Sequence, residues 1–233
     1  MSQDRSRSAN RILSSLPEAE YERLEPHLTS ISLPTRTVLY EASAKIEVIY
    51  FPNTLLISLV NILENGATTE VSLVGGTGLV GLPAILGSGY SRNRAIVQVA
   101  DNVIKISAKI FKQEFERGGE LQKIVHRYIE DRLEEVTQLA ICNAHHTIEE
   151  RLARWLLITS DLIQSDELPL TQEFLGNMLG VRRSGVTLAA QLFQSAGIIT
   201  YRRGRIRILD KEALQDISCE CYDLFHSHFY RPE

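Results

Sequence analysis

The residues best equipped for chemistry in this chain are six arginines. Arg182, Arg183, Arg202, Arg203, Arg205 and Arg207 all fall within residues 174–209, a stretch without one Asp or Glu, although the formal net charge of the 233-residue chain is -4. A guanidinium is planar and permanently charged, and its paired N–H donors match either phosphate oxygens or the O6 and N7 acceptors of guanine. Exposed charges farther away than a Debye length of about 8 Å are largely screened, so the mild overall acidity does not cancel a local basic face. The pattern implies an anionic partner held at one place rather than indiscriminate coating of nucleic acid.

Other chemistries are poorly supplied. No nucleophile stands with a base, and no paired carboxylates suggest acid–base work. The glycines of residues 75–78 (GGTG) lack a following Lys-Ser/Thr and sit between strand-like runs, so they read as a turn and not a phosphate-cradling loop. An enzyme is not expected. The polar start of the chain has no apolar h-region, and no run of about 18 apolar residues could span a bilayer. With Cys142, Cys219 and Cys221 as its three cysteines, the chain is expected to be cytoplasmic, with reduced thiols and no membrane partner.

The elements that must position the arginines follow from local pattern. Residues 170–193 read as a short helix, a turn around Gly180, and a second helix with basic and polar residues at its start. That is the order of a helix-turn-helix whose second helix enters a major groove. Two β-prone runs about Gly204 follow, a hairpin that places Arg205 and Arg207 on one face and Ile206 and Ile208 on the other. Residues 210–229 read as a final helical tail. Leu188, Leu192 and Phe193 are expected to pack inward.

Upstream, helical spacing covers residues 10–16 and 18–28. Seven short strand-like runs then follow at 31–33, 37–40, 48–51, 56–60, 69–74, 95–99 and 102–106, so residues 30–107 read as a compact all-β unit. From Glu120 to about Ala144 a long helix carries Leu121, Ile124, Val125, Tyr128, Ile129, Leu133, Val136, Leu139 and Ala140 on one stripe, opposite Lys123, Arg127, Glu130, Asp131 and Glu134. So wide a stripe is covered either by the β unit or by the same helix of a second copy; pairing makes fuller use of it. Thr147 and Glu150 have capping-box spacing at the start of the next helix, which places a hinge near residues 145–147. The loop 164–169 leads from that helix into the helix-turn-helix.

A β unit, a long helix and a helix-turn-helix with a hairpin together resemble the Crp/Fnr superfamily of bacterial transcription regulators. The resemblance covers essentially the whole chain and is most specific at residues 149–157 (EERLARWLL), 170–187 (LTQEFLGNMLGVRRSGVT) and 196–206 (AGIITYRRGRI). It implies an α+β architecture: a cyclic-nucleotide-binding-like β-roll over 1–115, a dimerisation helix and hinge over 116–146, and a winged helix-turn-helix over 147–233. It further implies a homodimer joined through the 120–144 helix that binds double-stranded DNA at promoters and contacts RNA polymerase. The competing reading is an effector- or protein-binding adaptor that no longer regulates transcription by binding DNA. The acid-free arginine stretch weighs against it, because an abandoned DNA surface has no reason to stay free of carboxylates.

By the same resemblance, Arg183 falls on the guanine-reading position, with Arg182 and Ser184 beside it and Thr187 one turn on; contact of Arg182 and Arg183 with phosphate alone is the alternative. Arg202, Arg203 and Arg205 fall on the wing, where they suit phosphates. Members that bind cyclic nucleotides hold them with a Gly-Glu pair and a downstream arginine. Here residues 80–95 (VGLPAILGSGYSRNRA) keep Gly81, place Arg92 at the arginine position with Arg94 nearby, and replace the glutamate by Leu82. A ribose hydroxyl left without its carboxylate costs about 1–3 kcal/mol on burial, so cyclic AMP is not expected and no cofactor is assigned. Thr137 lies where the family contacts the purine. Gly81, Arg92, Arg94 and Thr137 thus outline the candidate effector pocket, with an empty pocket as the other reading.

No cysteine precedes Cys142, which excludes the family's iron–sulfur arrangement ahead of the roll. Cys219, Cys221, His226 and His228 are residue types that zinc accepts, but residues two apart on a helix point in different directions, so a packed or solvated tail and no metal are expected. His145 and His146, beside Glu149 and Glu150, read as hinge and cap.

Overall fold

The structure, a computed structural model, describes residues 9–224 apart from 65 and 67. Contacts divide it into two compact units: residues up to Leu59 with Leu73–Glu130, and Val60–Ser72 with Asp131 onward. The division falls inside the long helix, between Glu130 and Asp131.

The first unit begins with α1 (Arg11–Ser14), which starts because Asn10 is built to cap it. The Asn10 side chain accepts from the Ile12 and Leu13 N–H groups and donates to Pro52 O at 2.7 Å and Gly78 O at 2.8 Å. Asn10 is fully buried, so all its polar capacity goes into tying the first helix to two loops of the roll. Pro17 precedes α2 (Glu18–Leu24), and a 3-10 turn over Glu25–His27 ends the helical entry.

Seven strands follow where seven were expected: β1 (Thr29–Leu33), β2 (Val38–Tyr40), β3 (Val48–Pro52), β4 (Leu56–Ile62), β5 (Thr68–Val74), β6 (Arg94–Val99) and β7 (Asp101–Ser107). They form two sheets, ordered β1-β7-β3 and β2-β6-β4-β5. Central β7 pairs antiparallel with both neighbours, in register Ile31↔Val103 and Phe51↔Ile104. Ile49, Phe51, Ile57, Val97 and Val103 are fully buried, as inward positions of a roll must be. Between β5 and β6 lies α3 (Leu82–Leu86), a single turn absent from the sequence reading because five residues give no periodicity. After β7, α4 (Ala108–Glu116) seats Phe111 edge-on against Phe51, ring centroids 5.4 Å apart.

The long helix is α5 (Glu120–His145). Its N-terminus is capped from a distance: the Glu20 carboxylate accepts from Glu120 N at 3.0 Å and Leu121 N at 2.8 Å, placing an anion at the positive end of the helix dipole. The apolar stripe changes character halfway. Leu121, Val125 and Tyr128 are buried in the first unit's core, and the Tyr128 hydroxyl donates to Leu79 O. Leu133, Val136 and Ile141 are 65%, 49% and 47% exposed.

The second unit continues with α6 (Ile148–Ile163), opened by the expected capping box: Thr147 accepts from Glu150 N, and the Glu150 carboxylate accepts from Thr147 N. Then come β8 (Glu167–Leu168), α7 (Gln172–Leu179), α8 (Arg183–Ser195), β9 (Ile199–Arg202), β10 (Arg205–Ile208) and α9 (Lys211–Ile217). The three strands form a small sheet ordered β8-β10-β9. Residues 164–169 are thus not wholly loop; a two-residue strand carries no alternation by which sequence could reveal it. The outer part of the β4–β5 hairpin groups with this unit, where Trp155 Nε1 donates to Glu70 Oε1 at 2.9 Å.

The two helix caps differ in burial and so in consequence. Asn10→Ala should lower the unfolding free energy by about 2 kcal/mol, because it strands buried backbone groups. Thr147→Ala, at an exposed cap, should cost about 1 kcal/mol. Urea unfolding of each variant checks the order; equal losses would contradict it.

Candidate nucleic-acid interface

The surface that bears the arginines is built from the turn outward. Thr171 caps α7 by accepting from Phe174 N at 3.2 Å. The helix stops at Gly180, whose φ of 63° lies in the left-handed region, and its N–H returns to the carbonyls of Gly176 and Asn177. A side chain there would be strained, which is why glycine occupies the turn. The last carbonyl of α7 receives a donor that sequence reasoning missed: Arg151, buried on α6, donates from Nη2 to Leu179 O.

From this turn α8 starts at Arg182, whose extended backbone makes it the N-cap. Val186, Ala189, Ala190 and Phe193 form the buried face at spacings of three and four. Arg182, Arg183 and Ser184 are consequently exposed together at the helix start. Thr187 is half-buried; its hydroxyl donates toward Gln172 Oε1 at 2.9 Å and Arg183 O at 3.0 Å, so it helps hold α8 against α7. Phe193 packs inward as expected, but Leu188 and Leu192 do not: they are 58% and 53% exposed. The small residues Ala189 and Ala190 occupy the inner stripe, which rotates the two leucines onto the outer face that carries Ser184 and Gln191.

The hairpin has strict alternation: along β10, Arg205 and Arg207 are exposed while Ile206 and Ile208 are buried. Its two-residue turn, Arg203–Gly204, has φ of 50° and 77°, the left-handed pair that lets the turn follow the twist of its strands. Arg203 therefore sits at the tip in a conformation unusual for a side-chain-bearing residue. Arg205 lies directly opposite Arg202 across the strands, whereas Arg207 lies opposite Glu167 of β8. Like charges placed directly opposite repel, so the Arg202–Arg205 pair is disfavoured unless an anion lies between or beside them.

The candidate effector residues are not gathered in the same way. Gly81, at φ 119°, caps α3, and a Cβ there would meet Ile49 Cδ1 at 2.6 Å, so the glycine is required by packing. Leu82 packs against the core of the roll. Arg94 pairs with Glu41 at 2.7 Å, and Arg92 is exposed. Thr137 belongs to the second unit, and its hydroxyl donates to Leu133 O at 2.8 Å. The first unit does contain a groove of about 790 Å³, bordered by Lys45, Lys105, Lys109 and Lys112, but none of the four candidate residues lines it.

The cysteines also depart from expectation. The argument from helical geometry fails because α9 ends at Ile217, so Cys219 lies beyond it and Cys221 begins a new turn. Both are buried, and their sulfurs gather with Cys142 Sγ and a ring nitrogen of His146, all within 4.8 Å of one another. The hydrogen bond with Cys219 holds the Cys142 thiol below its ordinary range, to about 5, while the same contact and burial push the Cys219 thiol up. His226 and His228 lie outside the described residues.

A β-roll, a long helix and a helix-turn-helix with an arginine-tipped wing define the class: a transcription-regulator fold with a winged helix-turn-helix at its C-terminal end. Within it, residues 150–217 match the family model of the Crp-like helix-turn-helix domain. The fold is that of Crp/Fnr-family regulators. A transcriptional regulator assigned to that family from Eubacterium rectale superimposes with a TM-score of 0.69 at 18% identity, over 90% of this chain and 98% of its own. FixK2 from Bradyrhizobium japonicum gives 0.69 at 16% identity, over 82% and 98%. The c-di-GMP-responsive global regulator CLP of Xanthomonas campestris gives 0.68 at 16% identity, over 82% and 99%. At these identities the likeness is one of fold. A search of curated proteins by sequence finds no match. Among the described residues no helix is long and apolar enough to cross a membrane.

Arg151 gives this arrangement a specific test. Arg151→Met keeps most of the volume but leaves Leu179 O without its donor, and should destabilise the winged helix by about 1–3 kcal/mol in urea unfolding. An unchanged midpoint and slope would show that the carbonyl is satisfied in another way.

Proposed function

We propose that the protein is a homodimeric, sequence-specific DNA-binding transcription regulator that acts at promoters in the cytoplasm and contacts RNA polymerase there. The observation that carries this reading is the opposed Arg202–Arg205 pair beneath the Arg203 tip, beside a helix start that exposes Arg182 and Arg183. A wing that sets two cations face to face is suited to a polyanion, and a helix N-terminus bearing arginine is suited to a groove. In this reading Arg183 reads a guanine edge, Arg182, Arg202, Arg203 and Arg205 hold phosphates, and Ser184 and Thr187 flank the base-reading face. The intrahelical tie of Thr187 gives it a positioning share of that work.

Dimerisation is supported by the second half of α5, where Leu133 and Val136 leave the apolar stripe in water. Pairing two such helices covers it and sets two recognition helices for successive major grooves about 34 Å apart. For the input, Leu82 packed against the core and Arg94 paired with Glu41 both weigh against cyclic AMP. The Xanthomonas relative, which answers to c-di-GMP, illustrates that this fold serves other signals.

Two arginine variants separate base reading from phosphate holding. Arg183→Ala should cost about 1–3 kcal/mol on the preferred site and relax the preference at one base pair. Arg203→Asn removes the charge while tolerating the left-handed turn, so it should weaken all sequences alike and lower the salt slope by about one. Titrations on preferred and random duplexes check this; equal losses on both for Arg183→Ala would remove its base-reading role.

A further inference from the structure

We propose that Cys142, His146, Cys219 and Cys221 form a closed Cys3His site for one zinc ion, clasping the end of α5 to the segment that follows α9. The argument rests first on distance. Zinc bonds sulfur at about 2.3 Å and imidazole nitrogen at about 2.0–2.1 Å, so a tetrahedron sets its sulfurs about 3.8 Å apart and sulfur and nitrogen about 3.6 Å apart. The structure places Cys142 Sγ 3.6 Å from Cys219 Sγ, and Cys221 Sγ 3.5 Å from His146 Nδ1. All four donor atoms lie within 4.8 Å of one another, so small side-chain movements close the shell around an ion. Thiol–thiol contacts alone do not account for such convergence, since S–H is a weak donor and sulfur a weak acceptor.

The surroundings supply a second and independent set of observations. A histidine that ligates a metal through one nitrogen ordinarily donates its other N–H to a carboxylate, which fixes the tautomer. Here Nδ1 faces the sulfurs, and Nε2 lies 3.2 Å from Glu220 Oε2. Gln138 Nε2 donates to Cys221 Sγ at 3.0 Å, the contact expected of a thiolate ligand. Three thiolates and Zn2+ leave one net negative charge, and Arg154, buried on α6, interacts electrostatically with Cys142.

The donor set selects the metal. Thiolate-rich tetrahedral sites exclude Mg2+ and Ca2+, and a multi-iron cluster needs its thiolates spread over more than one iron. With four protein donors there is no open position for water, so the site is structural and not catalytic. Its spacing also explains its place in the chain. Cys142 lies in the last turn of α5 and His146 just past its end, with its N–H donating to Cys142 O at 3.1 Å, and Cys219 and Cys221 arrive 77 and 75 residues away from their contact partners. Zinc therefore ties both ends of the α6–α9 segment together, directly beside the break between α5 and α6. Whatever angle that break adopts is fixed by the ion, which makes metal occupancy a control on the winged helix.

Metal content of the full chain, purified under reducing conditions and read by mass spectrometry, tests the proposal without reference to DNA binding. The expected result is one zinc per chain. Exchange for Co2+ should give the intense visible bands of a tetrahedral thiolate site, and all three thiols should resist alkylation until a chelator is added. Cys219→Ser and Cys221→Ser should each lose the ion. Because loss of the ion can also unfold the chain, His146→Cys is the control: it should keep the metal and alter the cobalt spectrum. A reduced, folded chain that takes no zinc and gives no tetrahedral cobalt spectrum would overturn the proposal. So would preferential loading of copper or iron, or a Cys142–Cys219 disulfide whose reduction leaves a chain unable to bind zinc.

Discussion

Burial of α6 is the constraint on which the winged-helix unit depends. From Arg151 to Ser160 every residue of that helix is buried, and a helix covered all round must satisfy each polar group it carries. Several of its polar groups reach outward to neighbouring elements, although Arg151 Nε finds no hydrogen-bond partner. Arg151 supplies the last carbonyl of α7, Trp155 donates to Glu70 and stacks edge-on near Phe174, and Ser160 donates to Asp166 beside the β8 strand. Arg154 interacts electrostatically with Cys142. The helix-turn-helix is therefore positioned by polar contacts that radiate from one buried rod, and not by hydrophobic packing alone.

This explains which parts of the molecule sequence could reveal. The seven strands of the roll, the capping box at Thr147, the Gly180 turn and the alternating wing are local patterns, and each was legible because its cause lies within a few residues. Elements whose cause lies elsewhere were not. α3 and β8 are too short to carry a period. Leu188 and Leu192 looked like core because leucine at helical spacing usually is, but Ala189 and Ala190 let α8 approach closely on the adjacent face. Arg151 looked like one more charge in a family motif until its carbonyl partner, 28 residues away, was in view. The cysteine group was the least legible, since its members come from segments more than 70 residues apart, and the reading of the tail as one continuous helix set Cys219 and Cys221 in divergent directions.

The two ends of the chain differ in how far their chemistry is assembled. In the helix-turn-helix and its hairpin six arginines are exposed, and two of them are held opposite each other against their mutual repulsion. At the roll, Gly81 serves packing, Arg94 is neutralised by Glu41, and Leu82 fills space where a carboxylate would be needed. α5 links these ends: its first half completes the core of the roll, and its second half leaves apolar residues exposed and brings Cys142 and His146 to the break before α6.

The central claim is that two copies of this chain read one symmetric stretch of DNA. Selection of bound duplexes from a random pool, using the 233-residue chain, tests it most directly. The account predicts an enriched sequence with two inverted half-sites about one helical turn, roughly 34–36 Å, apart, each containing a guanine at a fixed position. Enrichment of a single undivided half-site, or no enrichment above random duplex, would contradict it.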